Sequence, residues 1–203
     1  GLRMEYDPDG SGLLRGVALD VESESGTNSG STPLAGGSMV AVEYQHASGA
    51  TTWKGGAWSF TATRASTAGA GRASEYGAYA LAEHRIADRW SLYARAGAAN
   101  ADASRVAQYY GAGLVFHPGA LPMRDDALGL AVGHARNGGP YRDAMRAEGI
   151  ATTAAETAIE LTWRVPLGEH VVLQPDVQYV VDPDTDPTID DALVFLLRVE
   201  LAY

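Results

Sequence analysis

From Leu193 to Tyr203 every odd position is large and apolar, while the even positions include Arg198, Glu200 and Ala202. Side chains of a strand point alternately to opposite faces, so this segment predicts a strand with one greasy face and one mixed or charged face. The pattern recurs along the chain. Ile159, Leu161, Trp163 and Val165 alternate with Glu160, Thr162 and Arg164, and Leu173, Val177 and Tyr179 alternate with Gln174, Asp176 and Gln178. Leu128, Leu130 and Val132 alternate with Ala127, Gly129 and Ala131, and Trp90 and Leu92 with Ser91, Tyr93 and Arg95. Val40, Val42 and Tyr44 alternate with Ala41, Glu43 and Gln45, and Trp58 and Phe60 with Ser59 and Thr61. With weaker stretches near 13–22, 75–85 and 109–117, and a fragment at 2–6, the pattern predicts about eleven strands of the ~9–11 residues that a tilted bilayer crossing requires. No segment carries a helical period, and the predicted fold is all-β.

The connections alternate in length. Reading back from the C-terminus, 181–190 is long and polar, 167–170 tight, 137–156 long and 118–125 shorter. The segment 98–107 is intermediate, 87–89 tight, 65–74 glycine-rich and 22–38 long. Short turns on one side and long loops on the other are the signature of an antiparallel transmembrane β-barrel of the outer-membrane type. The stretch 47–56 departs from this phase, being longer than a tight turn. A soluble β-sandwich, the rival reading, gives the same alternation of residues but no reason to sort its loops.

The chain has 203 residues, enough for a single domain over 1–203. With no cysteine, disulfide scaffolds, thiolate metal sites and cysteine nucleophiles are excluded. A net charge of -10, with only 15 basic residues, argues against a nucleic-acid partner. No run of 18 apolar residues exists, which excludes a transmembrane helix but not a membrane barrel. The first residues alternate as if inside a strand and carry no initiator methionine, so an N-terminally truncated chain is expected.

Several motifs in series identify a resemblance. Asp125-Asp126-Ala127-Leu128-Gly129-Leu130-Ala131-Val132-Gly133-His134-Ala135-Arg136 is followed by Glu156-Thr157-Ala158-Ile159-Glu160-Leu161-Thr162-Trp163-Arg164. Then come Leu173-Gln174-Pro175-Asp176-Val177-Gln178-Tyr179 and Asp190-Asp191-Ala192-Leu193-Val194, with Gly56-Ala57-Trp58 and Tyr76-Gly77-Ala78-Tyr79 upstream. Together, from about Gly55 onward, these resemble the C-terminal half of the OprB family of carbohydrate-selective porins. The resemblance implies a barrel of about 16 strands, of which this chain supplies the last eleven or so. It also implies a passive sugar channel in a Gram-negative outer membrane, with no enzyme activity and no cofactor. Expected partners are permeating sugars, outer-membrane lipid and lipopolysaccharide, and an assembly machinery that reads the terminal aromatic, here Tyr203. The oligomeric state is left open.

In such a barrel the apolar parity meets lipid, where a midplane arginine costs about 2–4 kcal/mol. The polar parity encloses water. That places Glu43, Tyr93, Arg95, Glu160, Arg164, Gln174, Asp176, Gln178, Arg198 and Glu200 on the lumen as candidates for lining the pore. Guanidinium forks and carboxylates can exchange hydrogen bonds with vicinal hydroxyls, and binding must stay weak for a solute to pass. The plain alternative is a solvated wall that touches no solute. Trp58, Trp90, Trp163 and Tyr179 are expected on the lipid parity as interfacial girdle residues. The acidic run from Asp182 to Asp191 lacks the glycine and final glutamate of a calcium loop, and reads as an outer loop or a weak divalent site. The histidines show no metal-ligand spacing, and no catalytic constellation stands out. Two further readings stay open: a barrel that anchors or translocates another domain, and a soluble sandwich that binds a ligand.

Overall fold

A computed structural model describes residues 1–7, 10, 12–20, 37–119 and 126–202. Eleven strands form one antiparallel sheet in which every neighbour in space is a neighbour in sequence. They are β1 (Leu2–Tyr6), β2 (Gly12–Asp20), β3 (Ser38–Ser48), β4 (Thr51–Ala65), β5 (Arg72–Ala87) and β6 (Trp90–Ala99). β7 (Val106–Phe116), β8 (Ala127–Asn137), β9 (Ala155–Pro166), β10 (Val171–Val181) and β11 (Ala192–Leu201) complete the sheet. β1 and β11 each pair with one neighbour only, so among the described residues the sheet is open at both edges.

Nothing in this sheet is built like the inside of a soluble protein. Among the described residues no hydrophobic side chain is buried, and Phe195, Leu197 and Leu201 are 70%, 65% and 72% exposed. The polar face is the more covered one. In β9, Ile159, Leu161 and Trp163 are exposed while Glu160, Thr162 and Arg164 between them are half-buried. In β3, Val40, Val42 and Tyr44 are exposed while Ala41, Glu43 and Gln45 are half-buried. A folded chain that shows its greasy side and shelters its ionised side is stable only where hydrocarbon replaces water outside. Among the described residues no second sheet covers the apolar face, and the sandwich reading fails on this point.

Register fixes each face, since directly opposed residues of an antiparallel pair project to the same side. One row of the apolar face runs through Trp163, Leu128 and Phe116 to Trp90, whose ring stacks on Phe116 at 4.3 Å. Tyr179 shares this face, opposite Ile159 and Leu193.

Trp58 does not, contrary to expectation. The β3–β4 connection is a two-residue turn at Gly49 and Ala50, with Gly49 at φ 58°, where only glycine is at ease. This tight turn replaces the long connection expected over 47–56. It pairs Ser48 with Thr51, so Glu43 faces Gly56, and Ala41 faces Trp58. Trp58 and Phe60 therefore stand on the polar face, and Trp53, Gly55, Ala57 and Ser59 occupy the apolar one.

A second correction concerns helix. α1 (Gly139–Ala147) lies in the β8–β9 connection with Pro140 in its first turn and no buried residue. A short 3-10 turn, Pro183–Thr185, lies in the β10–β11 connection.

The connections at the α1 end are tied into one block. Thr185 is only 3% exposed and accepts hydrogen bonds at its hydroxyl from Asn137 Nδ2 (2.7 Å) and Arg105 Nη2 (3.0 Å). The Thr152 hydroxyl lies 3.1 Å from it, and the Thr153 amide donates to the Thr185 carbonyl at 2.8 Å. Arg105 also pairs with the Asp184 carboxylate at 2.8 Å and lies 4.9 Å from the Tyr141 ring centroid. The loops after β6, β8 and β10 thus share one hub. In the same block, the Thr188 amide and hydroxyl both donate to Asp186 and hold its carboxyl below the ordinary aspartate range.

Candidate functional site: the polar face

Pairing register brings all ten candidate residues to one face. Glu43 lies in a cross-sheet row with Arg15, Gly56, Tyr79, Gly97 and Tyr109. Arg95 faces Leu81 and Gly111, and Tyr93 faces Glu83 and Gly113. Glu160 faces Ala131 and Gln178, and Arg164 faces Ala127. Gln174 faces Arg198, Asp176 faces Leu196 and Thr162, and Glu200 faces Val172 near the end of β11.

Two polar clusters result. On β1 to β5, Arg15 reaches Glu43 Oε1 at 2.9 Å, Gln45 Oε1 at 3.0 Å and Glu5 Oε1 at 3.2 Å. The Tyr79 hydroxyl donates to Glu43 Oε2 at 2.6 Å. On β9 to β11, Glu160 lies within hydrogen-bonding reach of Asp176 with Arg198 as a nearby cation. Gln178 donates to Asp176 at 3.0 Å, and Gln174 to Thr162 at 3.0 Å. Pro175 has no amide to give, and the β9–β10 pairing skips from Leu173 to Asp176. The gap sits where Gln174 passes Arg164.

Between the clusters the face is aromatic and glycine-rich. Arg95 donates to the Tyr109 hydroxyl at 2.6 Å and lies 4.8 Å from the ring centroid, a cation–π geometry. A methyl group placed at Gly113 would meet the Tyr93 ring at 2.5 Å, and one at Gly133 the Tyr109 hydroxyl at 2.8 Å. One at Gly56 would meet the Tyr79 ring at 2.8 Å, and one at Gly77 the Trp58 ring at 2.8 Å. Each ring lies across a bare stretch of backbone, filling the space a side chain would have taken. At Gly77 the Ala98 carbonyl oxygen would also stand 2.7 Å away, and backbone cannot step aside. Gly77→Ala is therefore expected to lower stability by about 1–3 kcal/mol, as read from urea-driven unfolding in vesicles.

Sequence reasoning missed Arg15, Tyr79, Tyr109 and Trp58. The first three fall in the weakly alternating stretches, and the alternation of Trp58 and Phe60 with Ser59 and Thr61 points to the opposite face from the one the β3–β4 register gives them. The Asp125–Asp126 motif turns out to have a local task in its described half. Asp126 is fully buried, and its Oδ1 accepts the Gly119 amide at 2.9 Å, bracing the β7–β8 turn. Asp125 and Tyr203 lie outside the described residues. Among those described, no group of three or more histidine or acidic side chains is placed to hold a metal ion.

A family model described as carbohydrate-selective porin, OprB family, matches residues 7–203. The fold superposes on Pseudomonas putida OprB with a TM-score of 0.84 at 18% identity, covering 99% of this chain and 58% of that one. It also superposes on the outer membrane channel DcaP of Acinetobacter baumannii with a TM-score of 0.60 at 12% identity, covering 88% of this chain and 55% of that one. The chain thus spans a little over half the length of these solved structures. No curated protein matches it in sequence.

Proposed function

The chain belongs to the OprB family of carbohydrate-selective porins, and from that premise we propose that it forms a run of wall in a passive sugar channel of the bacterial outer membrane. The observation that carries the reading is the inverted exposure of the sheet: charged and amide side chains sheltered on one face, leucine and tryptophan bare on the other. Two open edges cannot persist in hydrocarbon, because each exposes a row of unpaired amides and carbonyls. We therefore read the sheet as part of a larger closed barrel, in keeping with its share of the solved chains. On this reading the polar face bounds water. Its arginines and carboxylates offer replacement hydrogen bonds to a hydroxylated solute as hydration is shed. The protein acts as a conduit and not as a catalyst, and Tyr203 supplies the terminal aromatic for barrel assembly.

Liposome swelling with the complete channel tests the reading. Sugars are expected to enter faster than amino acids of equal size, and entry should fall steeply with sugar size. Equal rates for the two solute classes would leave a general porin and remove sugar selectivity.

A further inference from the structure

The polar face holds a recess that its charged residues do not fill. Tyr79 on β5 and Tyr109 on β7 stand opposite Gly97 from either side of β6. With Trp58, Ala99 and Ala107 they line a cavity of about 180 Å³, room for a single sugar ring but not for two. Gly97 differs from the glycines at 56, 77, 113 and 133, where an aromatic ring lies across the backbone. A methyl group at Gly97 would meet nothing nearer than the Ala78 carbonyl oxygen at 3.5 Å and Tyr79 Cβ at 3.7 Å. The floor is bare and the walls are aromatic. Both phenols are pinned by charge, Tyr79 on Glu43 and Tyr109 on Arg95, and both rings lean away from Gly97, Tyr79 over Gly56 and Tyr109 toward Gly133, which keeps the recess open between them.

We propose that this recess is a carbohydrate subsite in the channel wall that takes one pyranose ring. The C–H face of the sugar rests on the aromatic walls. Its hydroxyls face the lumen, with the remaining donors of Arg95 two residues along the same face of β6, a guanidinium having more donors than one tyrosine occupies. The assignment rests on the sugar-channel reading and adds to it a place and a chemistry: selectivity for a ring with an apolar face, over and above size and hydroxyl count.

Glucose and sorbitol separate these elements, sharing a polyhydroxylated six-carbon chain, with one more hydroxyl on sorbitol and a ring only in glucose. The complete channel is reconstituted in planar bilayers, and the interruption of ion current is followed against concentration of each solute. Glucose is expected to interrupt the current saturably and sorbitol weakly. Gly97→Val fills the recess without removing any packed group. It should raise the half-saturating glucose concentration about five- to tenfold, well beyond any change it makes in sorbitol flux. Trp58→Leu should act in the same direction, and Tyr109→Phe, which keeps the ring, should retain most of the binding. If Gly97→Val leaves glucose half-saturation as in the parent, the subsite is wrong while the sugar channel stands. A loss shared equally by glucose and sorbitol also sinks the subsite, because it signals simple narrowing. A parent channel that treats glucose and sorbitol alike likewise sinks the subsite, while the sugar-channel reading falls only if sugars and amino acids of equal size enter at equal rates.

Discussion

Arginine in place of Leu161 is expected to lower the stability of the channel in a bilayer by about 2–4 kcal/mol, whereas arginine at the adjacent Thr162 should cost little. Leu161 stands exposed between Leu130 and Val177 in the middle of the apolar face. Thr162 lies one residue on, facing Gly129 and Asp176 on the polar face. At the first position the guanidinium would have to shed water into acyl chains. At the second it would meet the Asp176 carboxylate and water. The comparison is made by reversible urea unfolding into lipid vesicles. Its strength is that neighbouring positions with equal sequence context are predicted to differ by the whole cost of one charge in lipid. Equal losses at both positions would mean that the two faces have been assigned wrongly.

The second large effect is expected at the loop hub. Thr185→Val keeps the branched shape but removes the oxygen that receives Asn137 and Arg105. Asn137 is only 5% exposed, and leaving its amide without an acceptor costs about 1–3 kcal/mol. Thr185 also sits at φ 56°, a conformation a branched residue adopts only when its surroundings impose it. Valine keeps that strain while losing the bonds that enforce it. The Thr153 amide, which donates to the Thr185 carbonyl, should then exchange with solvent faster, and the 182–191 loop should become a protease target. Thr185→Ser restores the acceptor and should behave as the parent does. Matching behaviour of the valine and serine variants would show that the hub holds by packing and not by its hydroxyl.

Much of the architecture was legible because strand period and lipid exposure act on the same variable. Residues on one parity of β8 to β11 are apolar through the middle of each strand, although His134, Arg136 and Thr157 lie on it near one end of β8 and β9, so Leu128 to Val132 and Leu193 to Leu201 announce their own face. The same clarity fails on β4. A wall facing water accepts large aromatics wherever glycine opposite leaves room, and Trp58 over Gly77 looks like a girdle residue until the β3–β4 turn is counted. α1 was invisible because its nine residues hold only Tyr141, Ala144 and Met145 as a half-buried apolar stripe, too short to register a helical period. The clustering at Thr185 joins positions up to 80 residues apart, and no local pattern can encode that. Of the candidate site, the face of all ten residues was readable. Their partners were not, since Arg15, Tyr79 and Tyr109 come from strands whose alternation is diluted by alanine and glycine.

Because each strand pairs only with its predecessor and successor, the wall is modular in units of one hairpin. Loss or duplication of such a unit leaves the ladders among the other strands intact and keeps the flanking chain on the side it already occupies. The circumference, and with it the bore, can therefore change in increments of two strands. Relatives of different calibre are within reach of single genetic events, with no repacking of an interior, because this architecture has none to repack.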